Sequence, residues 1–600
     1  MKWTKRLAMG FLVLSLGAEA FHAGGQKSLP QSTSQSRDNT AANIQDWWMN
    51  AVIYEVYPRS FQDTNGDGVG DLNGITERLD YLKDLGVDAI WLTPMYLSPQ
   101  VDFGYDISDY RTIDPKYGTL ADFDRLIAEA GRRHIRVIMD MVMNHTSDQH
   151  EWFIQSRSSR NNPYRDWFVW HDGKGETATD KGLPPNNWQS FFGHSAWEWD
   201  EKTRQYYYHK FYIQQPDVNW NNPKIHEAFK DIVRFWLERG VSGFRFDAIT
   251  TLYEDPSMAD ESAVRDKDGK LIVNAFGDPQ LDNSKTVNQP GLHEVVHEMR
   301  VTSDAFDADK FPGTRVLIGE TYVPNIAELR KMYGTQQEPE FHLPMDTQVG
   351  FINKLDVPVF RSKLIDAETH LSDHTPLLLF DNHDNPRLDM RYGDGVHDTD
   401  IQRVLATILF ASRGTALFYY GDEIGMKTTS PKCKEDVKDP IGVIGWPREK
   451  GRDGERTPMQ WDASASAGFS NGTPWLPVPP SAATINVEAE KTDPRSLLVW
   501  YKNLIQLKKT NTAFERGADL MVDTENTKVL SWIRQVTGAP LVVVSVNFTA
   551  EPQTVNLVAG GAGLKVGRLK TLLKTPGAID PVSLDTIALG PFGVYIGEVE

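Results

Sequence analysis

Three things are scarce in this sequence of 600 residues: cysteine, positive charge and long apolar runs. The one cysteine, Cys433, excludes an internal disulfide and a cysteine-based zinc site. Lys and Arg number 63 against 82 Asp and Glu, a formal charge of −19, so the field of the protein repels phosphate backbones and we expect no nucleic-acid partner. The apolar run at residues 7–17 is about half as long as a membrane helix needs to be.

The first residues are typical of a targeting segment. A basic start precedes the apolar residues 7–17, and small side chains follow at Ala18 and Ala20, the positions that a signal peptidase reads. We predict a signal peptide at 1–20 and a flexible polar spacer at 21–45, with a retained membrane anchor as the alternative. A secreted chain with one thiol fits a bacterial periplasm, with no membrane partner after cleavage.

The rest of the chain has the composition of a folded protein, with 40% apolar and 24% charged residues. From residue 51 onward, short β-branched or aromatic runs alternate with helical patterns, which is typical of βα units around a parallel sheet. Eight such units predict an α/β fold, a (β/α)8 TIM barrel whose chemistry lies at the carboxyl ends of its strands. The predicted strands are 51–57, 89–94, 136–144, 243–249, 315–321, 340–345, 377–383 and 416–420.

Two stretches interrupt or follow this alternation. About 75 residues after the third strand are too many for a plain loop and predict an inserted subdomain. Beyond the helical pattern at 496–510, short alternating strands predict a C-terminal antiparallel β-sandwich, which we interpret as a structural cap. The predicted divisions are barrel 46–145, inserted subdomain B 146–218, barrel 219–515 and β-sandwich 516–600.

Acidic, amide and basic side chains gather where four predicted strands end. Because a barrel brings the carboxyl ends of its strands into one cup, these residues should lie together. They supply what cleavage of a glycosidic bond needs, two carboxylates across a sugar and further groups that hold it. The residues are Asp140, Asn144, His145, Arg245, Asp247, Glu320, His383 and Asp384.

Nine segments of this sequence resemble the α-amylase superfamily, glycoside hydrolase family thirteen, and within it the oligo-1,6-glucosidase, α-glucosidase and sucrose isomerase branch. The resemblance runs from about Asp46 to the C-terminus, and the segments agree in both order and spacing. They are YEVYPRSF at Tyr54, DTNGDGVGD at Asp63, GYDISDY at Gly104, DMVMNH at Asp140, QPDVN at Gln215, GFRFDA at Gly243, GET at Gly319, DNHDNPR at Asp381 and RTPMQWD at Arg456.

The resemblance implies an enzyme with three catalytic carboxylates. It makes Asp247 the nucleophile, Glu320 the general acid/base and Asp384 the group that grips the sugar hydroxyls. Arg245, two residues before the nucleophile on the same side of a strand, should lower the pKa of Asp247 and keep it ionised. Nearby Asp247 and Asp384 should raise the pKa of Glu320, so that it starts protonated.

The same resemblance implies a pocket that holds the non-reducing glucose. Asp102 and Arg456 would clamp the terminal hydroxyls, so that only a chain end enters. Ala248, beside the nucleophile, is predicted to set the linkage preference, since alanine there accompanies α-1,4 or sucrose cleavage and valine α-1,6 cleavage. The predicted substrate-binding residues are Asp102, Tyr105, His145, Arg245, His383 and Arg456.

DTNGDGVGD is an oxygen-rich loop of the kind that wraps calcium, although no glutamate stands at the twelfth position. The branch resemblance implies one structural Ca²⁺ here, and no organic cofactor. A bare acidic turn is the alternative. The predicted ligands are Asp63, Asn65, Asp67, Asp71 and the carbonyl of Val69.

The leading hypothesis is a secreted, monomeric, exo-acting retaining α-glucosidase that hydrolyses sucrose, maltose or similar short α-glucosides through a covalent glucosyl-enzyme. A sucrose isomerase or transglucosidase would use the same intermediate and another acceptor. The arginine-rich loop that isomerases carry is missing here, the nearest approach being Lys354-Leu355-Asp356. A non-catalytic amylase-like binding protein is the alternative from a different class.

Overall fold

The structure is a computed structural model that describes residues 44–177, 179–306, 313–558 and 567–600, with side chains from residue 47 onward. The predicted signal peptide at 1–20 lies outside the described residues. So does the predicted spacer, apart from its last two residues, which begin the 3-10 helix Ile44–Asn50.

Eight parallel strands form one barrel in the described part of the chain, as predicted. Each strand pairs with its neighbours in chain order, and the eighth pairs with the first. A parallel bridge between Met345 and Leu377 joins the sixth strand to the seventh and closes the ring. The strands are β1 Val52–Val56, β2 Ala89–Leu92, β3 Arg136–Val142, β4 Gly243–Asp247, β5 Val316–Gly319, β6 Leu343–Pro344, β7 Leu377–Leu378 and β8 Thr415–Tyr419.

Side chains alternate along each strand between the barrel interior and the surrounding helices. Toward the amino ends the interior residues are apolar, as at Ile53, Ile138 and Ile318, and they form one buried cluster. Two residues further along β1 and β3 the interior residues are Glu55 and Asp140, which are also buried. The apolar layer therefore ends at a charged layer at the carboxyl ends.

Two barrel strands are much shorter than predicted. β6 covers two residues of the predicted 340–345, and β7 covers two of 377–383. Pro344 has no N–H to donate, so it is a poor residue for extending a sheet. Between β1 and β2 the chain forms two helices, Leu72–Glu77 and Leu79–Leu85, separated at Arg78.

Helices surround the barrel. The α-helices are Pro58–Phe61, Leu72–Glu77, Leu79–Leu85, Leu120–Arg132, Glu151–Ser156, Pro223–Glu238, Leu292–Asp304, Ile326–Lys331, Thr347–Gly350, Val357–His370, Leu388–Tyr392, Asp398–Ala411, Pro440–Gly445, Val487–Glu490, Leu497–Thr510 and Thr512–Arg516. The 3-10 helices after Ile44–Asn50 are Arg165–Trp167, Ile249–Thr251, Asp422–Ile424, Lys434–Asp436 and Pro480–Ala483. No helix of the described residues is long and apolar enough to cross a membrane.

The insertion after β3 contains a small antiparallel sheet. Gln205–Tyr208 is its central strand, between Trp170–His171 and Trp197–Asp200. Another short pair, Tyr96–Leu97 with Asp109–Ile113, follows β2. These elements stand after the carboxyl ends of barrel strands, on the side where the charged layer lies.

A second insertion, residues 252–291, follows β4, and the sequence analysis had assigned it to the barrel. Antiparallel bridges join Ala263 to Leu281, Arg265 to Leu271 and Val273 to Pro279, so that three short segments of this insertion pair with one another. The buried Lys210 of subdomain B donates from Nζ to Asn283 Oδ1 at 3.1 Å and Thr286 Oγ1 at 2.8 Å. We call residues 252–291 the β4 arm.

The C-terminal part is an antiparallel sandwich, as predicted. One sheet has five strands and the other has two, Gln553–Val555 and Ile587–Leu589. Buried apolar side chains, including Val529, Val543 and Leu557, fill the space between them. The five strands are, in sheet order, Ala518–Val522, Val529–Gln535, Val542–Asn547, Val594–Val599 and Leu569–Lys574.

Candidate active site

Strand register brings the predicted catalytic residues together. β3 and β4 pair so that Asp140 lies beside Arg245, and β4 pairs with β5 so that Phe246 lies beside Gly319. Glu320, the next residue, therefore follows next to Asp247. The close approach of β4 to β5 depends on Gly243, where a Cβ would lie 2.1 Å from the carbonyl oxygen of Val316.

One guanidinium links three carboxyl groups at this point. Arg245 Nη1 lies 2.6 Å from Asp247 Oδ1 and 3.0 Å from Asp140 Oδ1, and Nη2 lies 2.6 Å from Glu320 Oε1. The other oxygen of Glu320 accepts the backbone N–H of Ala248 at 2.7 Å. A single buried cation thus serves three acids, which cannot all be ionised at low cost.

Arg245 lowers the pKa of Asp247, as expected, but it does not keep that pKa below the usual range. Burial raises the pKa of this carboxyl well above its usual range, and the charge of Arg245 offsets only part of that rise. Glu320 and Asp140 raise the pKa of Asp247 further, because all three acids share the same guanidinium. Asp140 and Glu320 were predicted to lie in the same cup, but their effect on the pKa of Asp247 was not.

The pKa of Glu320 is raised, as expected, with burial as the largest cause and Asp384 as the main raising charge. Asp384 behaves in the opposite way. Burial alone would raise its pKa, whereas His383, Arg452 and Arg456 together lower it below its usual range. Asp384, which loses its proton readily, therefore lies near acids that hold theirs more firmly.

Asp247, Glu320 and Asp384 open into one cavity of about 270 Å³. Walls come from the barrel, from subdomain B, from the β4 arm and from the segment after β8. Five of its lining residues, Asp102, Tyr105, His145, Asp384 and Arg452, form what we call the charged end. Five others, Phe191, Phe192, Phe211, Phe276 and Ile441, form what we call the aromatic wall.

Asp102 forms its ion pair with Arg452, a residue that was not among the predicted binding residues. Arg452 Nη2 lies 2.6 Å from Asp102 Oδ1, and Arg452 Nη1 lies 3.0 Å from Asp384 Oδ1. Arg456 has no exposed surface and contacts Asp384 from behind at 2.8 Å. Arg452 is itself held by Asp439, whose Oδ2 accepts its Nε at 2.8 Å.

The other predicted binding residues divide into two groups. Tyr105 and His145 line the cavity, and burial lowers the pKa of His145 to about 3, so that it is neutral. Arg245 and His383 lie behind the lining with no exposed surface. They do not face the cavity, so they can influence a bound molecule only through the residues they contact there, such as Asp247, Glu320 and Tyr105.

Comparisons with known proteins decide the family. The model of the alpha-amylase catalytic domain matches residues 55–517. The chain belongs to the alpha-amylase family. The resemblance inferred from nine motifs is thus confirmed, and with it the prediction of an enzyme.

Family members with known activities are similar over most of their length. An oligo-1,6-glucosidase of Parageobacillus thermoglucosidasius is 39% identical over 533 residues, 84% of this chain and 90% of its own. An alpha-glucosidase of Pediococcus pentosaceus is 40% identical over 501 residues, 78% of this chain and 85% of its own. The crystal structure of the trehalulose synthase MutB from Pseudomonas mesoacidophila is 36% identical, with a TM-score of 0.81, and covers 92% of this chain and 99% of its own.

Two groups at the charged end of this alpha-amylase family site were missed by the sequence analysis. Arg452 stands four residues before Arg456, just outside the motif RTPMQWD from which Arg456 was chosen. Gln215 Nε2 lies 3.1 Å from both Asp102 Oδ2 and His145 Nε2. Its motif, QPDVN, had been used only as a marker of the branch.

Ala248, the predicted specificity residue, lines the cavity and packs with Phe192, Phe211 and Ile441. Its backbone is in the left-handed region, with φ of +45°. A β-branched residue is strained in that region, so valine here would cost stability as well as change the wall.

The predicted calcium loop is held by its own backbone. Asp63 Oδ1 accepts N–H groups of Asn65 and Gly66, and Asp71 Oδ1 accepts the N–H of Gly74 at the start of a helix. The loop's oxygen atoms are of the type that calcium prefers. However, no three His, Cys, Asp or Glu side chains of the described residues are grouped to hold a metal. Calcium stays a prediction.

Proposed function

We propose that this enzyme is an exo-acting, retaining α-glucosidase that hydrolyses sucrose, maltose or similar short α-glucosides. One observation carries the proposal: Asp247, Glu320 and Asp384 face a single cavity that an ion pair between Asp102 and Arg452 borders. A cavity bordered in this way suits the terminal glucose of a short chain. It leaves little room for the middle of a starch strand.

The shared contact with Arg245 supports the retaining outcome. Two carboxyls bonded to one guanidinium lie close together, and retaining enzymes keep their carboxyl groups about 5–5.5 Å apart, against roughly 6.5–9.5 Å in inverting ones. Asp247 attacks the anomeric carbon while Glu320 gives its proton to the leaving oxygen. Water, deprotonated by Glu320, then cleaves the glucosyl–Asp247 bond with retained configuration.

The protonation states of Glu320 and Asp384 support these roles. Glu320 must hold a proton before the bond breaks, and its pKa is raised. Asp247 must give up its proton on substrate binding, although burial raises its pKa in the free site. Asp384, whose pKa is lowered, supplies the fixed negative charge that a developing oxocarbenium ion needs.

A sucrose isomerase or a transglucosidase is the second candidate function, favoured by the likeness to a trehalulose synthase. Both use the same glucosyl-enzyme and differ in what attacks it. Lys354 and Asp356, at the position of the isomerases' arginine-rich loop, bind each other at 2.8 Å and are not among the cavity-lining residues. A non-catalytic binding protein has no need for three carboxyls around a cavity.

Product analysis after incubation with sucrose tests the proposal. We expect glucose and fructose in equal amounts, with the Asp247→Ala protein as the inactive control. Isomaltulose or trehalulose as the main product would establish isomerisation, and longer oligomers would establish glucosyl transfer. No product from sucrose, maltose or isomaltose would overturn the enzymatic proposal.

We further propose that the chain is secreted, to a bacterial periplasm, after cleavage behind Ala20. This rests on the sequence of residues 1–20 alone. Sequencing the N-terminus of the protein isolated from its native cells tests it, because cleavage leaves Phe21 first and a retained anchor leaves Met1.

A further inference from the structure

Glu55 is a buried acid behind the active site to which no role has been assigned. It lies in the interior of the barrel on β1, between Trp91 of β2 and Tyr419 of β8 in the register, and has no exposed surface. Its Oε1 lies 2.6 Å from His383 Nδ1. Within the described part of the chain, no group makes a hydrogen bond to Oε2. His383 is therefore the partner that decides the state of this acid.

The other ring nitrogen of His383 faces two oxygen atoms of the site. Nε2 lies 2.7 Å from Tyr105 Oη and 3.3 Å from Asp384 Oδ2. Tyr105 has one hydroxyl proton and donates it to Asp140 Oδ2 at 3.0 Å, so it presents a lone pair to the imidazole. Asp384 is ionised, since its pKa is lowered. Both oxygen atoms are thus acceptors, and Nε2 must be the donor.

We propose that Glu55 is a positioning residue that keeps a proton on Nε2 of His383, the Glu55–His383 pair holding two protons between them. One proton is on Nε2. The other lies in the hydrogen bond between Glu55 Oε1 and Nδ1. Whichever of these two atoms carries the second proton, the pair has no net charge.

Burial supports the count of two protons. With one proton fewer, the pair would carry a negative charge in the barrel interior, where an uncompensated charge is costly. Burial raises the pKa of Glu55 well above its usual range, and Arg245 offsets only part of that rise. The centres of the Tyr57 and Tyr105 rings lie 5.9 and 5.3 Å from the centre of the imidazole ring, and the nearby charges are Asp384, Arg456, Arg245 and Arg452.

The consequence for catalysis rests on the proposed function. His383 does not line the cavity, so its Nε2–H acts through Tyr105 and Asp384, two groups at the charged end. A bare Nε2 would repel the carboxylate of Asp384 and leave the Tyr105 hydroxyl to choose between two acceptors. Loss of the Glu55 partner should therefore loosen the groups that hold the sugar in the transition state.

Three variants test this role. Glu55→Gln can donate an amide N–H to Nδ1 and so leaves Nε2 protonated, whereas Glu55→Leu removes the partner. We expect kcat/KM for sucrose or maltose to fall about tenfold to a hundredfold in Glu55→Leu, the range that loss of one hydrogen bond to a charged group produces. In Glu55→Gln we expect a fall of less than about threefold. Glu423→Gln is the matched control, since Glu423 is a buried acid held by Tyr54 and Tyr81 away from the cavity.

The protonated nitrogen is read directly from ¹⁵N shifts of histidine-labelled protein, with the signal of His383 assigned by its loss in His383→Asn. We expect Nε2–H in the wild type and in Glu55→Gln, and a shift toward Nδ1–H in Glu55→Leu. A bare Nε2 in the wild type would overturn the proposal even if glucosidase activity stood. Activity and shifts unchanged in Glu55→Leu would also overturn it.

The two proposals can fail separately. If no α-glucoside is turned over, the proposed function fails, while the shifts still decide where the proton lies. If Glu55→Leu does not fold, the wild-type and Glu55→Gln spectra give the answer alone.

Discussion

The charged end and the aromatic wall of one cavity offer a ligand different kinds of contact. At the charged end, Asp102, Asp384 and Arg452 are joined by ion pairs of 2.6 and 3.0 Å and fixed from behind by Asp439. In the aromatic wall, Phe192, Phe211 and Ile441 pack on each other and on Ala248. The charged end can make hydrogen bonds, which depend on direction, whereas the aromatic wall makes apolar contacts, which do not.

The difference predicts unequal selectivity. A buried polar group left unpaired by the wrong hydroxyl is costly, whereas a methyl-sized misfit against an apolar wall is worth only about 1–3 kcal/mol. We therefore expect strict recognition of the terminal glucose and graded recognition of the leaving group.

The largest effect should come from removing the reacting acids, which serve both regions. Asp247→Ala and Glu320→Gln should each lose turnover by several orders of magnitude with the fold intact, because each deletes half of the carboxylate pair. Turnover of maltose and the circular dichroism spectrum check this, with Glu423→Gln as the control. More than about a tenth of the activity remaining, a barrier change of ~1.4 kcal/mol, would contradict the assigned roles.

Removing the cation of the charged end should come next. Arg452→Met leaves Asp102, Asp384 and Asp439 without the arginine that binds all three. Removing one partner of a buried charge pair costs about 2–5 kcal/mol, and water entering the gap should offset part of that cost, so we expect kcat/KM to fall about a hundredfold. The fall should be equal for sucrose, maltose and isomaltose. Arg448→Met, an exposed arginine four residues earlier, is the control. A fall confined to one disaccharide would mean that Arg452 serves the leaving group instead.

A change in the wall beside the nucleophile should be smaller and selective. Wild type should prefer sucrose or maltose to isomaltose, and Ala248→Val should shift the ratio of kcat/KM values toward isomaltose by ~1–3 kcal/mol at most. The positive φ of Ala248 adds a second expectation, a lower melting midpoint in the valine variant. Ala248→Gly relieves the backbone and should not favour isomaltose. A wild type that prefers isomaltose, or a ratio that valine leaves unmoved, defeats the interpretation.

Phe276 is the residue that the β4 arm contributes to the aromatic wall, so its removal tests that contribution. Phe276→Ala should raise KM for disaccharides by a few-fold. Full burial of such a ring is worth roughly 1.5–3 kcal/mol, and a half-buried ring that contacts the second sugar contributes only part of this to binding. Hydrolysis of α-glucosyl fluoride, which has no second sugar, is the control reaction and should keep its kcat/KM. An equal loss with fluoride would place Phe276 at the glucose and not at the leaving group.

Removal of calcium by a chelator should change the contacts of neither the charged end nor the aromatic wall. If calcium binds the native loop at Asp63, excess chelator lowers the melting midpoint by mass action and leaves kcat/KM near its original value. Thermal melting and elemental analysis check this. An unchanged midpoint together with no metal would remove the site.

Local patterns were sufficient to predict the barrel and the meeting of Asp247, Glu320 and Asp384 at one cavity. Both depend on local properties of the chain: a strand, and an acid at its carboxyl end. Arg452 was missed because its role depends on a contact with Asp102, 350 positions earlier in the chain. The pKa of Asp247 was predicted in the wrong direction for a similar reason, since Asp140 and Glu320 come from other strands.

The β4 arm could have been found. Residues 252–291 are rich in Asp, Asn, Gly and Pro and show no period of a helix or a strand over a length that a plain loop rarely reaches. What no pattern shows is where the arm goes. Its position depends on the buried Lys210, which binds Asn283 and Thr286 from a different insertion.

The ion pair between Asp102 and Arg452 also bears on the order in which the two products leave the cavity. If the charged end is a dead end, the two halves of a disaccharide share one exit, and the half farther from that end must leave first. Glucose, held by the most directed contacts, would then depart last and compete with the next substrate for the same place. Accumulating glucose should accordingly slow the enzyme as a competitive inhibitor, whereas fructose should act through attack on the intermediate.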